Sequence, residues 1–354
     1  MLQEVHIEGQ LYSGLGKGSF FTQVDWVKKG VYQICGFEPF PGTLNLRVSK
    51  EDYDFVQSIR SQGSSLIPPD PNFCTARLLK ANIQGIECAI VFPEESVWAH
   101  KDTLEIMAPL YMRKALGVEE GDIITVKIKR KVDPKTIIFD LDGTLIDSIQ
   151  VFYELGDRIA QELGLPRPDR EKMRLCMNHG KDPWEALIPG GVQEREKLLE
   201  KGLMLDRSLF KDTYLQNCRL FPWAKELLWR LHEKGLRLAI LTVGWELDLI
   251  QSLFEDAQIR LHEIISVIHS CAKKAQKDLA LEQGILEISK AMGIKPWDCA
   301  YVADAVVNIE VGKRLKVFTI GTLTGIATRE EMLQASADLI GSDAKAVLEV
   351  IGTN

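Results

Sequence analysis

From residue 4 to about residue 130 the apolar positions fall in short runs, several of them strictly alternating with polar ones. Ile124, Val126 and Ile128 interleave with Thr125, Lys127 and Lys129, the period of two that marks a strand with one buried face. Comparable runs at 4–12, 19–24, 43–48, 77–83 and 87–92 predict further strands. Glycine and proline clusters at 14–18, 39–42 and 64–71 separate them. Helices are expected after Ser49 and over 110–116. Many short strands with few helices predict a small β-barrel.

After Val132-Asp133-Pro134 the rhythm changes. Apolar runs at 136–139, 238–242, 264–268, 300–304, 317–320 and 338–340 alternate with helical stretches, which predicts an α/β fold with a doubly wound parallel sheet. Between Asp147 and about Leu220 no strand pattern occurs, and stretches such as 151–163 and 193–205 predict an inserted all-helical cap. The expected domains are thus a barrel over 1–131 and an α/β unit over 132–354, with its core at 132–146 and 221–354 and its cap at about 147–220. A cap of this kind closes over a pocket, excludes water and meets the part of a substrate remote from the chemistry.

Bulk properties narrow the partners. A length of 354 residues suits two domains. The net charge is −7 and the first 131 residues are near neutral, so the basic face that nucleic acid needs is missing. The run Lys127 to Lys131 reads as a strand end entering a linker. Seven cysteines without a CxxC pair read as reduced, buried thiols of a cytoplasmic protein. No segment has the ~18 apolar residues of a membrane span, and the first residues lack a signal-peptide plan. The expected partners are small molecules, and the oligomeric state is left open.

The densest chemistry lies in Phe139-Asp140-Leu141-Asp142-Gly143-Thr144. Asp140 and Asp142 stand two apart at the end of a buried strand, so both carboxylates can face one pocket, at the end where parallel sheets place ligands. A carboxylate nucleophile with a second acid beside it suits covalent phosphoryl transfer. Two aspartates that only cap or meet solvent are the plainer alternative, though carboxylates are rarely set beside a buried apolar strand without a task.

This segment resembles the first motif of the haloacid dehalogenase-like hydrolases, mostly Mg2+-dependent phosphatases, and the resemblance extends over roughly 133–354. It implies Asp140 as the nucleophile and Asp142 as the acid and base. The dehalogenases lack that second acid, so phosphoryl transfer outranks carbon–halogen cleavage. The second motif resembles 238–244, with Thr242 holding a phosphoryl oxygen. The third should supply a lysine, and Lys273, Lys274 and Lys277 all stand in the right region, Lys277 first and Lys274 second. The fourth resembles 301–308, where Asp304 joins Asp140 and the backbone carbonyl of Asp142 around magnesium. Two departures are Ala303 for the usual glycine and Asn308 where a second aspartate is common.

The barrel carries its own candidates. The turn Ser13-Gly14-Leu15-Gly16-Lys17-Gly18-Ser19 is a hairpin turn or a phosphate cradle whose backbone amides approach an anion. Together with Pro41-Gly42-Thr43-Leu44-Asn45 and Leu104-Glu105-Ile106-Met107-Ala108-Pro109, it resembles the archaeal-type CTP-dependent riboflavin kinases over about 5–130. That resemblance implies a cradle-loop barrel using CTP as phosphoryl donor. The glycine turn (Gly14 to Ser19) and Leu110, Tyr111, Met112 and Arg113 would embrace the nucleotide. Thr43 and Asn45 would bind Mg2+, and Glu105 and Val97 would meet the flavin. Val97 departs from the family's Thr-His pair and cannot donate a hydrogen bond. Two readings follow: a bifunctional enzyme of flavin metabolism, or a phosphatase whose barrel is a non-catalytic flavin or nucleotide sensor. A third makes both halves binding modules.

Overall fold

The computed structural model describes residues 1–14, 18–94, 102–188, 190–271 and 276–352. The chain divides into two compact units, Leu2–Val132 and Asp133–Asn354.

In the first unit seven strands form one antiparallel sheet: β1 (Leu2–Tyr12), β2 (Leu44–Arg47), β3 (Ser64–Leu66), β4 (Ala76–Ile83), β5 (Ile86–Pro93), β6 (Thr103–Met107) and β7 (Ile123–Lys131). Their order is β3-β4-β5-β6-β2-β1-β7, and β4 also pairs with β7. That last pairing, Ala81 with Ile128 and Asn82 with Lys127, closes six strands into a barrel. Closure removes the open edges that a sheet would otherwise present. The alternation of β1 and β7 places Val5, Ile7, Leu11, Ile124, Val126 and Ile128 inside. The basic run lies within β7, with Lys127, Lys129 and Lys131 facing out and Arg130 buried. There the Arg130 guanidinium donates to Gln3 Oε1 at 2.7 Å and lies 5.4 Å from the Phe55 ring centroid.

Two expectations for this unit fail. The stretch 19–24 is not a strand: a short helix, Gly18–Phe21, opens it, and a second helix, Asp25–Cys35, follows. The apolar run Phe20-Phe21 mimics a strand, but Val27 and Val31, four apart, pack on Leu66, Leu78 and Ala89 as helical spacing requires. Within the expected turn at 64–71, residues Ser64–Leu66 add a short strand to β4.

The second unit is built on β8 (Thr136–Phe139), β9 (Ile146–Asp147), β10 (Arg219–Leu220), β11 (Arg237–Val243), β12 (Ile265–Cys271), β13 (Cys299–Ala303), β14 (Phe318–Thr322) and β15 (Leu339–Gly341). Six of these form a parallel sheet in the order β12-β11-β8-β13-β14-β15. Every residue of β8, β13 and β14 is buried, as expected where helices cover both faces. The site strand β8 sits in the middle of the order, and both its neighbours reach the same end. Between β8 and β11 the chain makes its excursion, through helices Ile149–Glu162, Arg170–Asn178, Trp184–Leu187 and Arg195–Asn217. The excursion leaves on β9 and returns on β10, which pair antiparallel with Arg219 opposite Asp147. All seven cysteines are thiols. Among the described residues no helix is long and apolar enough to cross a membrane.

Candidate active sites

At the C-terminal end of β8 the chain turns through Asp140 to Gly143. Asp140 is buried, and its backbone N–H donates to the Val302 carbonyl at 2.9 Å. Gly143 has φ 66°, and a Cβ there would stand 2.4 Å from Asp304 Oδ2. Only glycine admits both that conformation and that approach. Asp304 follows β13, and the Ile326 N–H donates to its Oδ2 at 3.0 Å. A Cβ on Gly325 would fall 1.8 Å from the same oxygen, so two glycines cradle this carboxylate.

The electrostatics follow from that closeness. Burial pushes the Asp140 carboxyl well above its ordinary value, Asp304 adds to the rise, Lys277 opposes it and Asp142 reinforces it. Burial likewise lifts Asp304 to about 6, against the pull of the Ile326 amide and Lys277. Two buried carboxyls side by side hold their charge only with a cation between them, or share a proton without one. The donor set therefore fits a hard divalent ion such as magnesium. Among the described residues no three carboxylate, imidazole or thiolate side chains group as a metal site. The carboxylate of Asp142 is engaged elsewhere: Trp245 Nε1 donates to Asp142 Oδ2 at 2.7 Å.

Thr242, buried near the end of β11, and Lys277, the first residue of helix Lys277–Ala291, line the same cavity as Asp140, Asp142 and Asp304. The structure brings these five expected residues together. Lys273 and Lys274 lie outside the described residues. Asn308 is directed elsewhere, its Nδ2 donating to the Tyr301 hydroxyl at 2.6 Å within the core, so it does not replace the second aspartate of the fourth motif. Ala303 is a core residue of β13.

The cavity, about 170 Å3, is roofed by the cap through Ser148, Phe152, Leu155, Met177, Asp206, Phe210 and Tyr214. Phe210 and Tyr214 stack at 4.2 Å. None of these was signalled by a motif. Phe210 and Tyr214 are i, i+4 neighbours on one helix, a spacing that any core-facing stripe also shows.

Cap and core are latched by Arg174 of helix Arg170–Asn178. Its guanidinium donates to the Ile326 carbonyl at 2.7 Å and to Glu331 at 2.9 and 3.0 Å. The Ile326 amide, in turn, holds Asp304. The Arg174 hydrogen bonds draw the Glu331 carboxyl down to about 2 from 4.5. A depressed carboxyl stabilises the fold fully above its ordinary value and loses that contribution as pH falls through the depressed one. Arg174→Ala is therefore expected to cost about 1–2 kcal/mol at pH 7 for this partly exposed pair. The difference narrows as the pH falls from about 4.5 towards about 2. Urea midpoints of both proteins at pH 7 and pH 3.5 check this, and a gap independent of pH would remove Glu331 from the account.

In the barrel, the three expected segments converge. A Cβ on Gly14 would lie 2.5 Å from Asn45 Nδ2, and one on Gly18 2.5 Å from Thr43 Oγ1 and 3.1 Å from Glu105 Oε1. Thr43 donates to Glu105 Oε1 at 2.9 Å, and Asn45 is the cross-strand partner of Glu105. Arg113 donates to Ser13 Oγ at 3.2 Å, beside the glycine turn. A second cavity is lined by Phe40 to Leu44, Ile106, Ala108 and Leu110 to Arg113, including Tyr111 and Met112. Phe40 and Tyr111 face each other there at 5.6 Å. Ser19 belongs to the helix following the turn. Leu15, Gly16, Lys17 and Val97 lie outside the described residues.

Comparisons with known proteins agree with both halves. The family model for CTP-dependent riboflavin kinases, described as domain of unknown function DUF120, matches residues 11–128. That of the haloacid dehalogenase-like hydrolases matches residues 137–322, just over half of the chain. A riboflavin kinase from Archaeoglobus fulgidus is 33% identical over 128 residues, 35% of this chain and 54% of that protein. One from Methanobrevibacter smithii is 32% identical over 123 residues, 34% of this chain and 98% of that protein. The chain spans 54–62% of the length of the first few curated relatives. A haloacid dehalogenase-like family hydrolase from Streptococcus pneumoniae superposes with a TM-score of 0.51 at 21% identity, over 61% of this chain and 97% of that one. By these matches the chain belongs to the haloacid dehalogenase-like hydrolases through its second unit and to the archaeal riboflavin kinase family through its first.

Proposed function

We propose that the chain is a bifunctional enzyme of flavin metabolism: its second unit hydrolyses a phosphate monoester through an aspartyl phosphate on Asp140, and its barrel phosphorylates riboflavin from CTP. The observation that carries the first half is the meeting of Asp140, Asp142, Asp304, Thr242 and Lys277 in one capped cavity at the C-terminal end of a parallel sheet.

An oxygen of Asp140 attacks phosphorus while Asp142 gives its proton to the departing alkoxide. Asp142 then takes a proton from the water that hydrolyses the acyl phosphate. Lys277 and Thr242 offset charge on the phosphoryl oxygens, and the cap keeps bulk water from the displacement step. Magnesium, when held by Asp140, Asp304 and the Asp142 carbonyl, supplies further neutralisation of that charge. In the barrel, Thr43, Asn45 and Glu105 offer neutral and acidic oxygens to a cation and a hydroxyl nucleophile, and Tyr111 to Arg113 with the glycine turn embrace the nucleotide.

The phosphatase substrate we favour is a phosphorylated riboflavin precursor such as the ribitylaminopyrimidine phosphate. Dephosphorylation followed by rephosphorylation then lies on one route, whereas hydrolysis of FMN beside a kinase would be a futile cycle. Free thiols and small-molecule substrates support a cytoplasmic reading. Purified protein with Mg2+ is to be screened against phosphate esters including FMN and the ribitylaminopyrimidine phosphate, and with riboflavin plus CTP or ATP. Hydrolysis of the precursor in preference to FMN, together with CTP-driven FMN formation, is the expected result. Riboflavin binding without FMN formation would instead make the barrel a sensor, and failure on every ester would end the phosphatase reading.

A further inference from the structure

The turn after Thr242 carries an aromatic side chain that none of the catalytic roles above requires. Trp245 is buried at the edge of the site cavity, and an indole N–H can donate but never accept. It spends that donor on Asp142 Oδ2 at 2.7 Å, at the short end of the range for nitrogen to oxygen. One oxygen of the acid is thereby held by the indole.

Trp245 is itself braced. Gly244, at φ 86°, makes the turn that presents it. The Ser270 hydroxyl donates to its carbonyl. Its ring meets Phe210 and Tyr214 edge-on, each at 5.3 Å and at 80° and 85°, the favoured T-shaped arrangement of aromatic pairs. Phe210 and Tyr214 belong to the cap helix Arg195–Asn217, whereas Trp245 and Asp142 belong to the core. The ring that holds one oxygen of the acid is therefore packed against the cap.

We infer that Trp245 is a positioning residue: it fixes the Asp142 carboxyl for proton delivery to the leaving oxygen and ties that placement to cap closure through Phe210 and Tyr214. The inference rests on the phosphatase reading. In the step concerned, the Asp140 oxygen–phosphorus bond forms and the phosphorus–leaving oxygen bond breaks. The departing oxygen keeps the electron pair and takes the Asp142 proton.

The test compares two esters with opposite needs. An alkyl phosphate such as glycerol 2-phosphate expels a basic alkoxide that must be protonated, whereas p-nitrophenyl phosphate expels a stable phenolate without help. Trp245→Phe keeps the packing and removes the donor. Its kcat on the alkyl ester is expected to fall about 100-fold, within the range that general acid catalysis supplies. The fall on the aryl ester is expected to be about ten times smaller, with KM for each ester within about 3-fold. Phe210→Leu, which loosens the brace and leaves the donor, is expected to shift the ratio the same way by a smaller factor. Equal losses on both esters, or no loss on either, overturns the inference. Should Trp245→Phe fail to fold, an unchanged ester ratio in Phe210→Leu overturns it alone. A wild-type protein inactive on both esters and on the metabolite panel would strike the phosphatase reading instead.

Discussion

Asp140→Asn is expected to lower phosphate-ester hydrolysis by at least about 10^4-fold, roughly 5 kcal/mol at the transition state, while leaving FMN formation by the barrel unchanged. The amide is close in shape to the carboxylate but is no nucleophile, so the covalent step is lost and only what the pocket offers by binding survives. The substitution also bears on stability. Asp140 is a buried acid whose charge is opposed by Asp304 and Asp142, so removing its charge relieves repulsion. In the absence of Mg2+, the thermal midpoint is therefore expected to hold or rise. Kinetics on both reactions, with thermal melts with and without Mg2+, check this. Hydrolysis persisting above a hundredth of the wild-type rate in a folded variant would take Asp140 out of the covalent role. Parallel loss of both reactions would contradict two separate sites.

Gly18→Val is expected to act in the opposite half. The added Cβ would stand 2.5 Å from Thr43 Oγ1 and 3.1 Å from Glu105 Oε1, well inside contact distance, and the two γ-methyls would take more of the same space. Thr43 and Glu105 are joined to each other, so neither gives way without losing its partner. FMN formation is expected to fall at least about 100-fold, near 2.7 kcal/mol, with phosphate-ester hydrolysis unaffected and the barrel's circular dichroism preserved. A variant that makes FMN at the wild-type rate would show that the glycine turn does not close on these side chains during turnover.

How legible all this was from sequence depended on the kind of signal. The strands of the parallel sheet are short, mostly apolar runs punctuated by turn residues, and the central ones are buried on both faces, which leaves such runs little other use. Asp140, Asp142 and Asp304 are tied to strand ends, so the order of strands alone brings them to one side. The helix Asp25–Cys35 was not legible. Its apolar residues Val27, Val31 and Ile34 are diluted by Lys28, Lys29 and Gln33, and its stripe makes sense only once Leu66 and Leu78 are in place. Trp245 was hidden for another reason: nothing in its neighbours announces that its N–H will meet a carboxylate about a hundred residues earlier. Lys277, ranked first of three lysines in the sequence because a helix follows it, opens that helix and lines the cavity with Asp140. Asn308 shows the converse, a motif position whose local sequence suggested the metal and whose side chain turns to Tyr301.

The paired dipeptides at the root of the cap have a consequence of their own. Because Ile146–Asp147 and Arg219–Leu220 lie hydrogen-bonded side by side, the excursion begins and ends at one spot, and the strand order beneath does not depend on its length. Points of this kind tolerate wholesale insertion and replacement. A lineage can trade one lid for another there and so present the same strands to new alcohols, provided the incoming lid again braces Trp245.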